Sequence, residues 1–427
     1  MKGIFVLSNL LLFSLILQNH LAYTYTAYTP IARYLKVPES DVPKLLAQEK
    51  TLVEGNRIVI PLVTKNEQIF GGSYIDIIAN KININTKNLS ENGIITNNPA
   101  MKPYLNLLSF IQVKNSLYDL NSTFEDLTTL AIEDNATNVM LSNEYIVNNI
   151  VIYLSHSDDI QNKEFIADAI KLNPIIIYDE FDESKIEVMK NHSNPKAPNL
   201  NAPPLQVYVL GGDGLHNSEF SAFCTAGFWV GSRSNSTFYL MTAAHCSKRG
   251  PFNPDGTVDF YHLPWGSKGG GLLVGSMFAP NMSAIKVDMG LIMKQNNRIS
   301  VTPSVRNTDD QEFPELRIYG IVEMDTVGTL VCKSAYITHS TCGKIIAFNV
   351  RVINESGRIF NGLIKIEELA CQGESGAPLF PFVEEMFPGI FITGMITSGR
   401  VGSACYAVPI GRLITDDMYI LTVNDLI

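Results

Sequence analysis

Six cysteines stand in this 427-residue chain, at Cys224, Cys246, Cys332, Cys342, Cys371 and Cys405, and none falls in the first 223 residues. Their spacings match no zinc-binding pattern, so the residues themselves point to three disulfides within one domain, with the connectivity left open. The chain is thereby split into a half that folds without covalent staples and a half that uses them. Disulfides persist in oxidising compartments, which raises the question of export.

The first residues, "MKGIFVLSNLLLFSLILQNHLAYTYTAYTP", carry one early lysine, an apolar run from Ile4 to about Leu17, and then small and polar residues. This reads as a secretory signal peptide over residues 1–22 and predicts a secreted, extracellular protein. The run is too short for a good transmembrane span and no later stretch is long enough, so no stable membrane association is expected. A net charge of −10 with no dense basic cluster also argues against a nucleic-acid partner.

Between the halves lies "NHSNPKAPNLNAPPLQ", Asn191–Gln206, rich in proline and asparagine. Such composition favours an extended, exposed linker, where proteases cut. Residues 23–190 form the first unit. In it "ESDVPKLLAQEKTLVE" has helical spacing, while "NNIVIYLSHSD" and "NPIIIYDEF" are short β-rich runs, so a mixed α/β domain is expected. Residues 207–427 differ. "SAFCTAGFWVG", "STFYLMTAAHC", "AIKVDMGLIM", "GTLVCKSAYI", "KIIAFNVRVI" and "GIFITGMITSG" are β-branched or aromatic runs separated by glycine, asparagine and proline, an all-β pattern.

Three stretches of the second unit carry chemistry. "MTAAHCSKRG" sets His245 beside a cysteine, "VDMGLIM" has Asp288 as its one acid, and "ACQGESGAPLF" places Ser375 between glycines. Acyl transfer by serine needs these types: a hydroxyl, a base to take its proton, and an acid that holds the base in the right tautomer. Each stretch alone also has an ordinary structural reading. Their joint occurrence on a β-rich background is harder to obtain by chance.

"TAAHC", "DMGLI" and "CQGESGAP" resemble the His, Asp and Ser motifs of the chymotrypsin-like serine proteases, in that family's chain order. The resemblance covers roughly residues 205–427, and "VYVLGGDGLHNSEFSAFCTAGFWV" with "GTLVCKSAYITHSTCGKI" look like the bacterial-type branch, the α-lytic protease and streptogrisin group. It implies a double six-stranded antiparallel β-barrel. It further implies His245 as general base, Asp288 as its orienting acid, Ser375 as nucleophile, and the N–H groups of Gly373 and Ser375 as oxyanion hole. The disulfides it implies are Cys224 to Cys246, Cys332 to Cys342 and Cys371 to Cys405. That branch carries a removable N-terminal pro-region, and "FGGSYIDIIANKININT" is similar to a strand pattern there. The expected partners are therefore protein or peptide substrates and the chain's own pro-region, with the mature protein a monomer that needs no cofactor and no metal.

The chain departs from the pattern at three positions. Glu374 stands where the family has aspartate and Lys333 where the bacterial-type branch has arginine, which predicts a buried Lys333–Glu374 ion pair. Ala377 replaces a glycine two residues after the serine. These changes keep open a catalytically inactive homologue that acts as a secreted binding protein. For the substrate pocket the resemblance points to Leu369, Ala370, Ser398, Gly399 and Arg400; with Leu369 and no acid at its base, an apolar side chain is expected before the cut and a basic one is disfavoured. The sequons at Asn88, Asn121, Asn135, Asn191, Asn235, Asn281 and Asn354 allow glycosylation. His262 and His339 read as ordinary loop histidines.

Overall fold

The computed structural model describes residues 28–178, 206–217, 223–248, 251–267, 271–278, 287–367, 371, 373–400 and 404–426. The expected signal peptide and nearly all of the expected linker lie outside them.

In the first half, Val42, Leu45, Leu46, Leu52, Val59 and Val63 recur at helical spacing and are buried along one face of the helix Val42–Lys65. This helix packs on a sheet in which Phe70–Asp76 and Lys81–Thr86 form a hairpin and Leu108–Gln112 adds in parallel. A second helix, Leu117–Glu133, opens with a capping box in which Ser116 and Asp119 each satisfy the other's backbone N–H. Behind it the hairpin of Val139–Glu144 and Asn149–Leu154 continues in parallel to Ile175–Tyr178. The mixed α/β reading of this half holds. No helix among the described residues is long and apolar enough to cross a membrane.

The second half is built on two large β-sheets, with a three-stranded sheet of Ser304–Arg306, Glu315–Ile321 and Gly389–Ile392 and a two-stranded one of Val207–Tyr208 and Ile299–Ser300 beside them. In one of the large sheets, Leu330–Ala335, Pro378–Phe380, Gly394–Arg400, Ala404–Pro409, Ile359–Glu367 and His339–Ile353 pair in that order, and His339–Ile353 returns to Leu330–Ala335, closing a six-stranded barrel. The other is an eight-stranded sheet running from Met418–Ile420 through Trp229–Ser232, Phe238–Thr242, Gly290–Lys294, Leu273–Phe278, Thr257–Leu263 and Gly214–His216 to Phe223–Thr225. Two closed barrels are expected from the sequence; among the described residues this sheet stays open. Its last strand spends its bonds elsewhere, since Thr225 N–H donates to Ser375 O at 2.8 Å and Thr225 O accepts from Thr242 Oγ1 at 2.9 Å.

The two halves share a core. The closed barrel continues into the first half through an antiparallel ladder between Val139–Glu144 and Arg351–Ile353, making nine strands in all. One cluster of buried side chains includes Leu46, Val59, Ile75 and Ile84 from the first half and Leu330, Cys332, Val408 and Ile410 from the second. Polar groups cross the seam as well: Lys365 Nζ lies 2.7 Å from Glu144 Oε1, with both side chains buried. Leu330 N–H donates to Glu49 Oε1 at 2.5 Å.

Candidate active site

The strand Phe238–Thr242 runs between Trp229–Ser232 and Gly290–Lys294, in register Thr242↔Gly290. The chain then turns through Ala244–Ser247, and this short 3-10 turn sets His245 at the end of the sheet. Asp288 precedes its strand by two residues, so the same register brings it opposite the turn. Asp288 Oδ1 accepts the backbone N–H of His245 at 3.0 Å, and Oδ2 lies 2.5 Å from His245 Nδ1. Thr397 Oγ1 donates a further short bond to Oδ2.

Ser375 reaches the same place from the other sheet. Its Oγ lies 2.8 Å from His245 Nε2 and 3.2 Å from Thr397 O, two acceptors for one hydroxyl proton. The Cys224–Cys246 disulfide ties the turn of His245 to the strand whose Thr225 holds Ser375 O. Gly376 has φ +100°, and a Cβ there would stand 2.1 Å from Thr225 O, so the turn after the serine accepts only glycine. Ala377 has no such constraint; its methyl packs in the core with Leu379 and Ile396.

The electrostatics make the imidazole of His245 a stronger base than usual. Burial pushes His245 down, yet the Asp288 charge and hydrogen bond outweigh it and hold His245 above the ordinary histidine value. Burial raises Asp288 too, and is outweighed by His245, Thr397 and the His245 N–H, so the carboxylate stays below its usual range. With Nδ1–H directed at Asp288, Nε2 is left as acceptor for the Ser375 proton.

Gly373 takes φ +76°, and neither its N–H nor that of Ser375 donates to an acceptor among the described residues. Two amides without an acceptor among the described residues, beside the Ser375 hydroxyl, could meet a developing oxyanion. Between them in sequence, Glu374 turns inward, wholly buried, and forms an ion pair with the equally buried Lys333. Burial lowers Lys333 from its usual value, with Glu374 acting against it.

The bridges Cys332–Cys342 and Cys371–Cys405 complete three disulfides, leaving no free cysteine among the described residues. Cys224, His245 and Cys246 have the spacing of a metal site, but both sulfurs are spent in a disulfide. Of the pocket residues, Leu369 and Ala370 lie outside the described residues. Ser398, Gly399 and Arg400 end the strand Gly394–Arg400, paired with Tyr406, Cys405 and Ala404.

Two residues expected in loops are placed otherwise. His262 is a buried member of the strand Thr257–Leu263, with Nε2 2.7 Å from Asp213, which also pairs with Arg306. His339 begins the strand His339–Ile353, stacks on Trp265 at 3.8 Å and bonds Asp309. Both histidines are buried; the carboxylate partner of His262 is buried with it, whereas Asp309 beside His339 is exposed. Thr397 and Thr338 escape the sequence reading; the only trace of Thr397 is its place just before Ser398.

No protein-family model matches the sequence. In structure, the chain is similar to Thermobifida fusca protease A at 21% identity, over 51% of this chain and 100% of that one, with a TM-score of 0.38. A Nocardiopsis protease matches at 19% identity over the same shares with a TM-score of 0.38. The Cellulomonas bogoriensis chymotrypsin does so at 21% with a TM-score of 0.34. Each of these likenesses spans 51% of this chain and the whole of the matched protease.

Proposed function

We propose that the protein is a secreted serine endopeptidase, made as a precursor whose first half is removed by cleavage within residues 191–206. The observation that carries this reading is His245, with one ring nitrogen on Asp288 and the other on Ser375 Oγ.

The chemistry follows from that placement. Ser375 Oγ attacks the peptide carbonyl carbon as His245 Nε2 takes its proton, and Asp288 stabilises the imidazolium formed. The carbonyl oxygen gains negative charge and is met by the amides of Gly373 and Ser375. Collapse breaks the C–N bond, the leaving amine receives the proton from His245, and Ser375 carries an ester. Water, deprotonated by His245, then attacks the ester, and the regained proton returns to Ser375 Oγ as the acid departs. Substrates are proteins or peptides with an apolar side chain before the cut, in keeping with Leu369.

The precursor reading draws support from the size of the first half and its extended contact with the closed barrel. The triple disulfide set supports secretion. A quenched peptide with an apolar residue before the cut tests the activity, expected in purified protein and absent in Ser375→Ala. N-terminal sequencing of the secreted protein tests the precursor: a start between Asn191 and Gln206 is expected, and an active protein that keeps residues 23–190 in one chain would refute removal.

A further inference from the structure

The loop that carries the two oxyanion amides makes few bonds of its own. Glu374 N–H donates to Cys371 O at 3.2 Å, and Ala377 N–H to Glu374 O at 3.0 Å. Beyond the serine it is held by Gly376 N–H on Ile396 O at 2.7 Å and by Thr225 N–H on Ser375 O at 2.8 Å; before the serine it is held by the inward carboxylate of Glu374, whose donors among the described residues all come from one hairpin. Thr338 gives two of them, its N–H at 2.8 Å and its Oγ1, both to Glu374 Oε1. Lys333 pairs with Oε2 and also donates to Thr338 Oγ1 at 2.7 Å. The Thr338 hydroxyl therefore accepts from the lysine and donates to the acid.

The hairpin is well suited to act as a template. Its strands pair from Leu330↔Lys344 to Ala335↔His339, and Cys332–Cys342 bridges them as a directly opposed pair close to the turn. At the turn, Ile337 Cδ1 lies 2.5 Å from where a Cβ on Gly373 would stand, so the ring of contacts includes Gly373 directly. Tyr336 N–H donates to Thr225 Oγ1 at 3.3 Å, on the residue that holds Ser375 O. The turn thus touches the loop at Gly373, at Glu374 and, through Thr225, at Ser375.

We propose that Thr338 is a positioning residue for the oxyanion hole, acting through Glu374 to set the direction of the Gly373 and Ser375 amides. The proposal rests on the endopeptidase reading. An ammonium is a point charge with no preferred direction, so Lys333 alone fixes where the carboxylate sits but not how it is turned. Two directional donors from one residue fix both. Because Glu374 lies between the two amides in sequence, a fixed Glu374 restricts the peptide planes on either side. A misplaced donor weakens transition-state binding more than ground-state binding, and the loss falls on kcat.

The test compares Thr338→Val, Thr338→Ser and wild type by peptide turnover, each normalised to active sites by fluorophosphonate titration. Thr338→Val keeps the shape and the N–H but loses the hydroxyl. Its kcat is expected to fall about 10- to 100-fold with KM within about threefold of wild type, and the pH midpoint set by His245 should stay in place. Thr338→Ser should restore kcat to within about threefold. If the valine variant does not fold, Thr338→Ala, which leaves room for a water, takes its place in the comparison. An undiminished kcat per active site in the variant lacking the hydroxyl, or a serine variant as slow as valine, overturns the role of Thr338 alone. A folded wild type that neither titrates nor turns over overturns the endopeptidase reading and this role with it.

Discussion

His245 and Asp288 are joined twice: the carboxylate takes the backbone N–H of His245 on one oxygen at 3.0 Å and its Nδ1 on the other at 2.5 Å. The double grip fixes both the place and the tautomer of the imidazole. Asp288→Asn keeps the size but cannot hold the same tautomer, and kcat should fall about 10⁴-fold. Peptide turnover against active-site concentration checks this.

The same pair sets the pH dependence. A general base works only when neutral, and His245 is held above the ordinary histidine value. Activity should therefore be low in acid and rise with pH through a midpoint above about 6.5, the unperturbed histidine value. A pH profile of kcat/KM decides it, and a midpoint below that value would contradict the geometry.

Lys333 and Glu374 are both wholly buried, so breaking the pair leaves an uncompensated charge. Lys333→Met should cost about 3–5 kcal/mol of stability. The double variant Lys333→Met with Glu374→Leu should recover most of that stability while activity stays low, because Thr338 then has no carboxylate to hold. Denaturant unfolding and peptide turnover on the two variants separate the effects.

At the seam between the halves, burial raises the carboxyl of Glu49 to about 8, against a single hydrogen bond from Leu330 N–H. A group bound more tightly to its proton in the folded state contributes stability that is whole below the ordinary carboxylate range and is lost as pH rises through about 8. Stability of the full chain should decline over that window, and Glu49→Gln, which keeps an acceptor for Leu330 N–H, should flatten the decline. Chemical unfolding between about pH 5 and 9 measures it.

His245, Asp288 and Ser375, which the structure brings within hydrogen-bond distance, could be singled out in the sequence because each sits in a short local pattern: His245 before Cys246, Asp288 alone in an apolar run, Ser375 among glycines. Thr397 and Thr338 could not, since their partners Asp288 and Glu374 lie 109 and 36 residues away and no local signature marks them. The strand runs were visible, but which sheet closes depends on where Thr225 sends its bonds. The ladder between Val139–Glu144 and Arg351–Ile353 joins segments about two hundred residues apart, a pairing that alternation within either strand does not encode. The burial of His262 in a strand is not visible locally either, since its buried partner Asp213 lies 49 residues before it.

The central claim is that Ser375 is an activated nucleophile. Intact-mass analysis after brief exposure to a fluorophosphonate tests it most directly. One adduct per chain is expected on Ser375, absent in Ser375→Ala and much slower in His245→Ala. A folded, disulfide-bonded wild type that takes no adduct, or a Ser375→Ala protein labelled as readily as wild type, would contradict it.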